Sequence, residues 1–203
     1  MLLIAAALLA NADCTPALAA IPGWDPREEQ ASPTPDERRS RLTFYFGVRS
    51  LDEDYWSPLH EPIALEASFE WRLPDSPFGF EVGSSIGFDE STLFGIDVSL
   101  LSFELYGGMR VTADLLEGRL RPYLGLGPTL IYADLSGESG GVTVSDDDVS
   151  FGLYARGGIT WVFDGGFGVG LDYRKVFGTD VSLFGVEGDI DSDQVGLSLG
   201  FAF

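Results

Sequence analysis

The sequence predicts an all-β protein, an eight-stranded antiparallel up-and-down transmembrane β-barrel with short turns at one end and acidic loops at the other. Two observations predict this fold. Apolar residues recur at every second position in eight segments of the 203-residue chain, which is the period of a β-strand. The positions between them carry Arg and Glu as well as Gly and Ser. The polar face therefore fits the inside of a barrel, and the apolar face fits lipid.

The first forty residues differ in composition from the rest of the chain. Residues 1–20 have the apolar core and the Ala17-Leu18-Ala19 pattern of a secretory signal peptide, although no Lys or Arg precedes the core. Residues 21–40 hold four prolines among charged residues and predict a flexible leader, because proline interrupts both helices and strands. The single cysteine, Cys14, falls in the signal peptide, so no disulfide is predicted. Residues 41–203 remain for the barrel.

The eight alternating segments have lengths suited to a membrane. They are residues 41–49, 63–73, 78–88, 101–111, 120–132, 149–163, 167–173 and 195–203. Most are close to the roughly nine to eleven residues that a tilted strand needs to cross the apolar core of a bilayer. A water-soluble barrel of the lipocalin kind is the alternative fold, and it would require the Phe and Leu faces to point inward.

Two positions interrupt the regular pattern. Phe94, Ile96 and Val98 fall on the opposite phase from the segment that begins at residue 101, which predicts a bulge or the end of a loop near residues 99–100. Pro128 lacks the backbone N–H that a strand donates to its neighbour, which predicts a local irregularity in the fifth strand.

Charged residues occupy inward positions along most of the strands. The predicted interior set is Arg41, Arg49, Arg72, Arg110, Arg121, Arg156 and Arg174 with Glu66, Glu70, Glu81, Glu104 and Asp172. Its seven positive and five negative charges nearly cancel, as a buried ion-paired network requires. An eight-stranded barrel encloses little more than its own side chains, so the prediction is a structural salt-bridge network. The alternative is a narrow gated passage in which Arg and Glu exchange partners.

The loops between the strands carry most of the net charge of −20. Four predicted loops, residues 52–61, 89–99, 134–148 and 176–194, contain 17 acids and no Lys or Arg. Such a surface repels nucleic acid and attracts cations. Two clusters are candidate weak Ca²⁺ or Mg²⁺ sites, namely Asp146, Asp147 and Asp148, and Asp189, Asp191 and Asp193. Neither has the twelve-residue calcium-loop pattern, so a solvated acidic surface is the alternative; no other cofactor is predicted.

The pattern over residues 41–203 resembles the small eight-stranded outer-membrane barrels, of the outer-membrane protein A transmembrane domain and outer-membrane protein X type. The closing residues Leu199, Phe201 and Phe203 resemble the signal that the outer-membrane assembly machinery recognises. The resemblance implies a monomer in the cell outer membrane, with short periplasmic turns, extracellular loops, and lipid and lipopolysaccharide as neighbours. Aromatic girdles at the two interfaces are predicted from Trp56, Trp71, Phe78, Tyr132, Trp161, Phe163 and Tyr173.

Some small outer-membrane barrels are lipid A enzymes, so we compared this sequence with the catalytic residues that those enzymes use. The deacylase type uses a His-x-Ser pair, whereas the single histidine, His60, is followed by Glu61 and Pro62. The palmitoyltransferase type carries an amphipathic helix before its barrel, where this chain has its prolines. The sequence therefore predicts a non-enzymatic barrel that supports envelope integrity and surface interactions with cations, lipopolysaccharide or adhesion partners. The alternative function is a narrow porin-like passage for small solutes or ions.

Overall fold

The computed structural model describes residues 39–52, 56–93 and 95–203. Its strands are β1 (Ser40–Leu51), β2 (Ile63–Arg72), β3 (Phe78–Leu93), β4 (Ile96–Thr112), β5 (Leu120–Ser139), β6 (Val142–Val162), β7 (Phe167–Phe177), β8 (Asp180–Leu183), β9 (Val186–Asp189) and β10 (Ser192–Ala202). Eight of them close into a barrel in the order β1-β10-β7-β6-β5-β4-β3-β2, and β8 and β9 form a separate hairpin. Within the described ranges, no helix has the length and apolar character needed to cross a membrane.

The two faces of the barrel strands have opposite chemistry. Apolar side chains point outward, with Phe46 58% and Phe151 75% exposed. Charged side chains at the alternate positions point inward, with Arg49 2% and Glu104 0% exposed. This arrangement confirms the predicted antiparallel barrel, with its charged side chains inside and its apolar side chains outside. It excludes the lipocalin-like alternative, in which the Phe and Leu faces would point inward. The predicted signal peptide and nearly all of the predicted leader lie outside the described residues; β1 begins at Ser40, one residue before the predicted start.

The barrel closes where β1 meets β10, in a register that runs from Arg41 opposite Ala202 to Leu51 opposite Ser192. Gly47 lies opposite Gly196 in this seam. A Cβ atom on Gly47 would lie 2.2 Å from the Val195 carbonyl oxygen, so no larger residue fits without a shift of the backbone. The closing seam thus depends on glycine for close approach rather than for an unusual backbone angle.

The two ends of the barrel differ in the length of their connections. At the short-turn end, residues 73–77, 113–119 and 163–166 join neighbouring strands. At the opposite, long-hairpin end, β3 pairs with β4 as far as Leu93 and Ile96, and β5 pairs with β6 as far as Ser139 and Val142. The predicted loops 89–99 and 134–148 are therefore mostly strand, which corrects the predicted boundaries. Beyond the membrane both faces of a strand meet water, so the apolar alternation that marked the strands fades while the pairing continues.

The phase change near residues 99–100 is not a bulge. The β3–β4 ladder continues without a break through Asp89 opposite Leu100 and Glu90 opposite Ser99. Leu100 is fully buried inside the barrel. The apolar phase switches because the interior itself changes from charged to apolar near the long-hairpin end.

The irregularity predicted at Pro128 is confirmed. The β4–β5 ladder pairs Tyr106 with Thr129 and Met109 with Leu126, and the described ladder has no pair between them. Pro128 still lies opposite Leu153 of β6. Proline thus interrupts the pairing on one side of β5 only.

Candidate functional site

The barrel interior holds a continuous network of ion pairs, which begins below the long-hairpin end at Glu104. Arg174 binds this carboxylate with two nitrogens, Nη2 to Oε1 at 2.6 Å and Nη1 to Oε2 at 2.9 Å. Arg49 Nη2 lies 2.9 Å from the same Oε2, and the Thr129 hydroxyl also donates to Glu104. Arg49 of β1 and Arg174 of β7 therefore share the fully buried carboxylate of Glu104 on β4.

Arg156 joins two further carboxylates at the middle of the barrel. Its Nη1 lies 2.8 Å from Glu66 Oε1, and its Nη2 lies 2.9 Å from Asp172 Oδ1. Glu66 in turn lies 3.6 Å from Arg174 Nη1, which connects this layer to the layer above. The charged side chains of the layer have no more than 2% exposure. Because burial without a partner is expensive for every one of these charges, the network is stable only as a complete set.

The lower layer centres on Arg110. Its Nη1 donates to Glu81 Oε2 at 3.1 Å, and its Nε lies 3.5 Å from Glu70 Oε2. Glu81 also lies 3.9 Å from Arg156 Nη1, so the lower and middle layers are continuous. The structure brings together nine of the twelve residues of the predicted interior set: Arg49, Glu66, Glu70, Glu81, Glu104, Arg110, Arg156, Asp172 and Arg174.

Buried tyrosines complete the hydrogen bonding of this network. The hydroxyls of Tyr106, Tyr123 and Tyr154 donate to Glu66, Asp172 and Glu81, respectively. The Arg110 guanidinium lies 3.6 Å from the ring centroid of Tyr123, within the range of a cation–π contact. Sequence reasoning did not assign these tyrosines to the network. The signal was available, since a tyrosine at an inward position among carboxylates needs an acceptor for its hydroxyl.

Of the remaining three predicted residues, Arg72 and Arg121 lie at the rim of the short-turn end, and Arg41 is buried at the same end. Arg72 and Arg121 both pair with Asp114, Arg121 Nε at 2.9 Å from its Oδ1. Asp114 belongs to the connection between β4 and β5, so the pattern of the strands did not reveal it. The side chains of Arg72, Arg121 and Asp114 are 11–27% exposed, so they are more accessible than the side chains of the buried network.

An apolar cluster closes the interior at the long-hairpin end. We call it the apolar cap; its residues are Leu51, Trp56, Leu59, Leu100, Ile131, Ala133, Val176, Val181, Leu183 and Ile190. Val181 and Leu183 come from the β8–β9 hairpin, which thereby covers the mouth of the barrel. Trp56 is 7% exposed, and its indole Nε1 donates to the Asp189 carbonyl at 2.6 Å. The prediction that Trp56 lies in an aromatic girdle is therefore wrong, because the cap offers it a buried site.

The first acidic cluster supports the β8–β9 hairpin. The Asp148 carboxylate accepts the Ser182 backbone N–H at 2.7 Å, and Asp146 accepts the backbone N–H of Phe184. The Ser182 N–H, followed by that of Val149, lowers the pKa of the Asp148 carboxyl. Asp147 points elsewhere and interacts with Tyr132.

The second acidic cluster is also divided among separate contacts. Asp191 Oδ1 accepts the Thr179 backbone N–H at 2.9 Å, and Asp193 Oδ2 lies 3.0 Å from Lys175 Nζ. A hydrogen bond with the Asp180 carboxyl raises the pKa of Asp189. Across the part of the chain that the structure describes, no group of three or more His, Cys, Asp or Glu side chains is arranged to hold a metal ion. The predicted clusters are thus adjacent in sequence but do not converge on a shared centre.

The residues predicted as an assembly signal lie on the outer face at the short-turn end. Leu199, Phe201 and Phe203 are at least half exposed there. Phe203 forms backbone hydrogen bonds with Ser40, and its ring centroid lies 6.3 Å from that of Phe69. The last residues therefore hold the start of β1 while presenting aromatic rings outward.

An apolar outer face around a charged interior, in a closed wall of antiparallel strands, defines an integral membrane β-barrel. The chain belongs to the family of the outer membrane protein beta-barrel domain, whose model matches residues 52–203. Its location is accordingly the outer membrane, as predicted. In barrels of this class the short turns face the periplasm and the longer loops face outside.

Solved structures share this fold at low sequence identity. Neisserial surface protein A is 15% identical with a TM-score of 0.52, covering 81% of this chain and 96% of its own. Ail of Yersinia pestis is 14% identical with a TM-score of 0.53, covering 80% and 98%. OprG of Pseudomonas aeruginosa is 14% identical with a TM-score of 0.55, covering 81% and 96%. Among curated protein sequences, none matches significantly.

Proposed function

We propose that this protein is a sealed, non-enzymatic barrel whose acidic long-hairpin end attracts divalent cations and, through them, lipopolysaccharide and other anionic surface partners. The observation that carries the proposal is the separation of charge along the barrel. The loops predicted from the sequence contain 17 acids, of which all but Glu53 and Asp54 lie in the described residues. The single lysine of the chain, Lys175, lies at the same end. Such a field concentrates cations and repels polyanions.

The contacts of individual acids favour diffuse attraction over a closed metal cage. Asp146, Asp148, Asp191 and Asp193 already accept hydrogen bonds from the protein. A cation would therefore meet the summed field of the surface, which salt screens, rather than a set of free ligands. One Ail structure is a complex with the heparin analogue sucrose octasulfate. For the present chain we expect the acidic end to exclude that polyanion.

Calcium titration of the refolded barrel tests this proposal. The variant combines Glu90→Gln, Glu138→Gln and Glu187→Gln, which removes three charges from exposed positions of the long-hairpin end. The matched control combines Asp75→Asn, Glu117→Gln and Asp164→Asn, which removes the same charge from the short-turn end. We expect Ca²⁺ binding at low salt that weakens at physiological salt, falls in the variant and is retained in the control. Equal loss in both variants, or no binding at low salt, would contradict the proposal.

The proposal that the barrel is non-enzymatic is supported by the surroundings of its single histidine, His60. It lies between β1 and β2, where its backbone carbonyl accepts the Leu51 N–H at 2.8 Å, and the following residues are Glu61 and Pro62. Lipid A hydrolysis by the refolded protein that disappears in His60→Ala would overturn this part of the proposal.

A narrow passage for solutes or ions stays a prediction. The apolar cap and the buried ion pairs leave little room for it, since conduction would require the cap to move. Conductance across a planar bilayer is the measurement that decides between a sealed barrel and a passage.

We further propose that the barrel is a monomer that the assembly machinery recognises through Leu199, Phe201 and Phe203. Phe203→Ala should slow insertion by that machinery more than it slows spontaneous refolding into detergent. Equal slowing of both reactions would show that the ring serves stability alone.

A further inference from the structure

A small cavity lies at the short-turn end, below the lowest layer of the ion-pair network. Its volume is about 20 Å³, which is room for about one water-sized species. The charged side chains that line it are Arg39, Arg41, Arg72, Arg110, Arg121 and Glu70. Arg39 is exposed, so the cavity lies next to solvent at this end. A cavity this small with five arginines and one carboxylate in its lining favours an anionic occupant.

Arg41 is the cavity-lining residue with the most incomplete hydrogen bonding, with two buried donor atoms unpaired against one in Arg110. Its side chain is buried, the whole residue being 6% exposed, and its Nε and Nη2 have no hydrogen-bond partner in the described structure. Among its neighbours, Arg72 and Arg121 share Asp114, and Arg110 binds Glu81 through Nη1. The Arg110 Nε lies 3.5 Å from Glu70 and also has no hydrogen-bond partner in the described structure. A guanidinium is always charged and carries five N–H donors, so buried donors without an acceptor are costly. Arg41 thus presents unsatisfied donors at the cavity.

The charge of the whole interior points to the valence of the occupant. Among the described residues, seven arginines with little exposure face the interior and the short-turn mouth: Arg41, Arg49, Arg72, Arg110, Arg121, Arg156 and Arg174. Arg39 is left out of this balance because it is exposed and water solvates its charge. Six carboxylates oppose these seven arginines: Glu66, Glu70, Glu81, Glu104, Asp114 and Asp172. The one remaining positive charge lies with the arginine-rich cavity. One monovalent anion would neutralise it.

We infer that this cavity binds a single small monovalent anion, a halide such as chloride, through the free N–H groups of Arg41. The volume favours a single halide over phosphate, sulfate and carboxylate-bearing ligands, which are larger than a water molecule. The site lies at the opposite end from the acidic hairpins, so it is independent of the proposed cation surface. Binding would complete the ion-pair network at its lower end and would stabilise the folded barrel.

Urea unfolding in lipid vesicles at constant ionic strength tests the inference, with sodium gluconate replaced stepwise by sodium chloride. At a chloride concentration of ten times its Kd, the unfolding equilibrium constant should fall about tenfold. The effect should saturate, disappear in Arg41→Gln and persist in Arg119→Gln, which removes an exposed arginine from the same end. A chloride effect that survives in Arg41→Gln, or that never appears in the parent protein, would overturn the inference.

A second measurement covers the case in which Arg41→Gln does not fold. Crystals of the unsubstituted protein grown in bromide should show an anomalous peak within hydrogen-bond distance of Arg41 Nε or Nη2. A water molecule in that cavity, without any anomalous signal, would overturn the inference.

Discussion

Glu104→Gln is the substitution that most directly tests whether the interior network is dry. Glu104 is fully buried and accepts charge-assisted hydrogen bonds from Arg49 at 2.9 Å and from Arg174 at 2.6 and 2.9 Å. Glutamine has nearly the same shape but leaves both guanidinium groups without this counter-charge, and its NH₂ group opposes their donors. Removal of one partner from a buried ion pair typically costs about 3–5 kcal/mol. Folded domains have about 5–15 kcal/mol in total, so we expect a large loss of stability.

The assay is reversible urea unfolding in lipid vesicles, followed by tryptophan fluorescence. Glu90→Gln on β3 is the matched control, because Glu90 is exposed and such surface changes usually stay within about 0.5 kcal/mol. Combining Glu104→Gln with Arg49→Gln should destabilise the barrel by less than the sum of the two single changes. The double variant loses one negative and one positive charge together, so neither side chain leaves the other's charge buried without its partner. If Glu104→Gln unfolds within about 0.5 kcal/mol of the parent protein, the interior is hydrated and the argument from burial fails.

Three further predictions concern the cap, the hairpin and the seam. Trp56→Ala should destabilise the barrel by about 3–5 kcal/mol and raise its bilayer conductance, and unchanged values of both would contradict the role of the cap. The hydrogen bond from the Ser182 N–H lowers the pKa of Asp148 in the folded protein. The ionised Asp148 carboxylate therefore stabilises the fold at pH values above the ordinary carboxyl pKa near 4. This stabilisation is lost as the pH falls through the lower pKa of the folded state. An NMR titration of the Ser182 amide should therefore have a midpoint below pH 4 and be flat in Asp148→Asn; a midpoint at or above 4 would refute it. Gly47→Ala should reduce the folded fraction on heat-modifiability gels because its Cβ would meet a carbonyl of β10 at 2.2 Å, whereas Gly137→Ala, with its nearest neighbour at 3.6 Å, should fold normally.

Strand patterns predicted the wall of the barrel better than its ends. In the segment around Phe46, the alternation correctly placed aromatic rings outward and Arg49 inward, because lipid accepts one kind of side chain and the interior accepts the other. The same reasoning misplaced the phase change at Leu100. At the height of Leu100 the interior of the barrel is apolar, so an apolar side chain there can point inward. The pattern within one strand does not predict this, because it contains no information about the side chains on the opposite wall. Strand extensions beyond the membrane were also missed, since their side chains meet water on both faces.

The sequence by itself determined the membrane barrel, the inward and outward faces of the membrane strands and most of the buried charges, because these follow from local period and composition. Only the tertiary structure decided which charges pair. Glu104 serves both Arg49 and Arg174, and Asp114 draws Arg72 and Arg121 to the rim. Those pairings depend on the stagger of strands around the closed barrel, which sets the height at which each side chain projects. The same stagger leaves Arg41 with buried donors that no residue in the described structure satisfies.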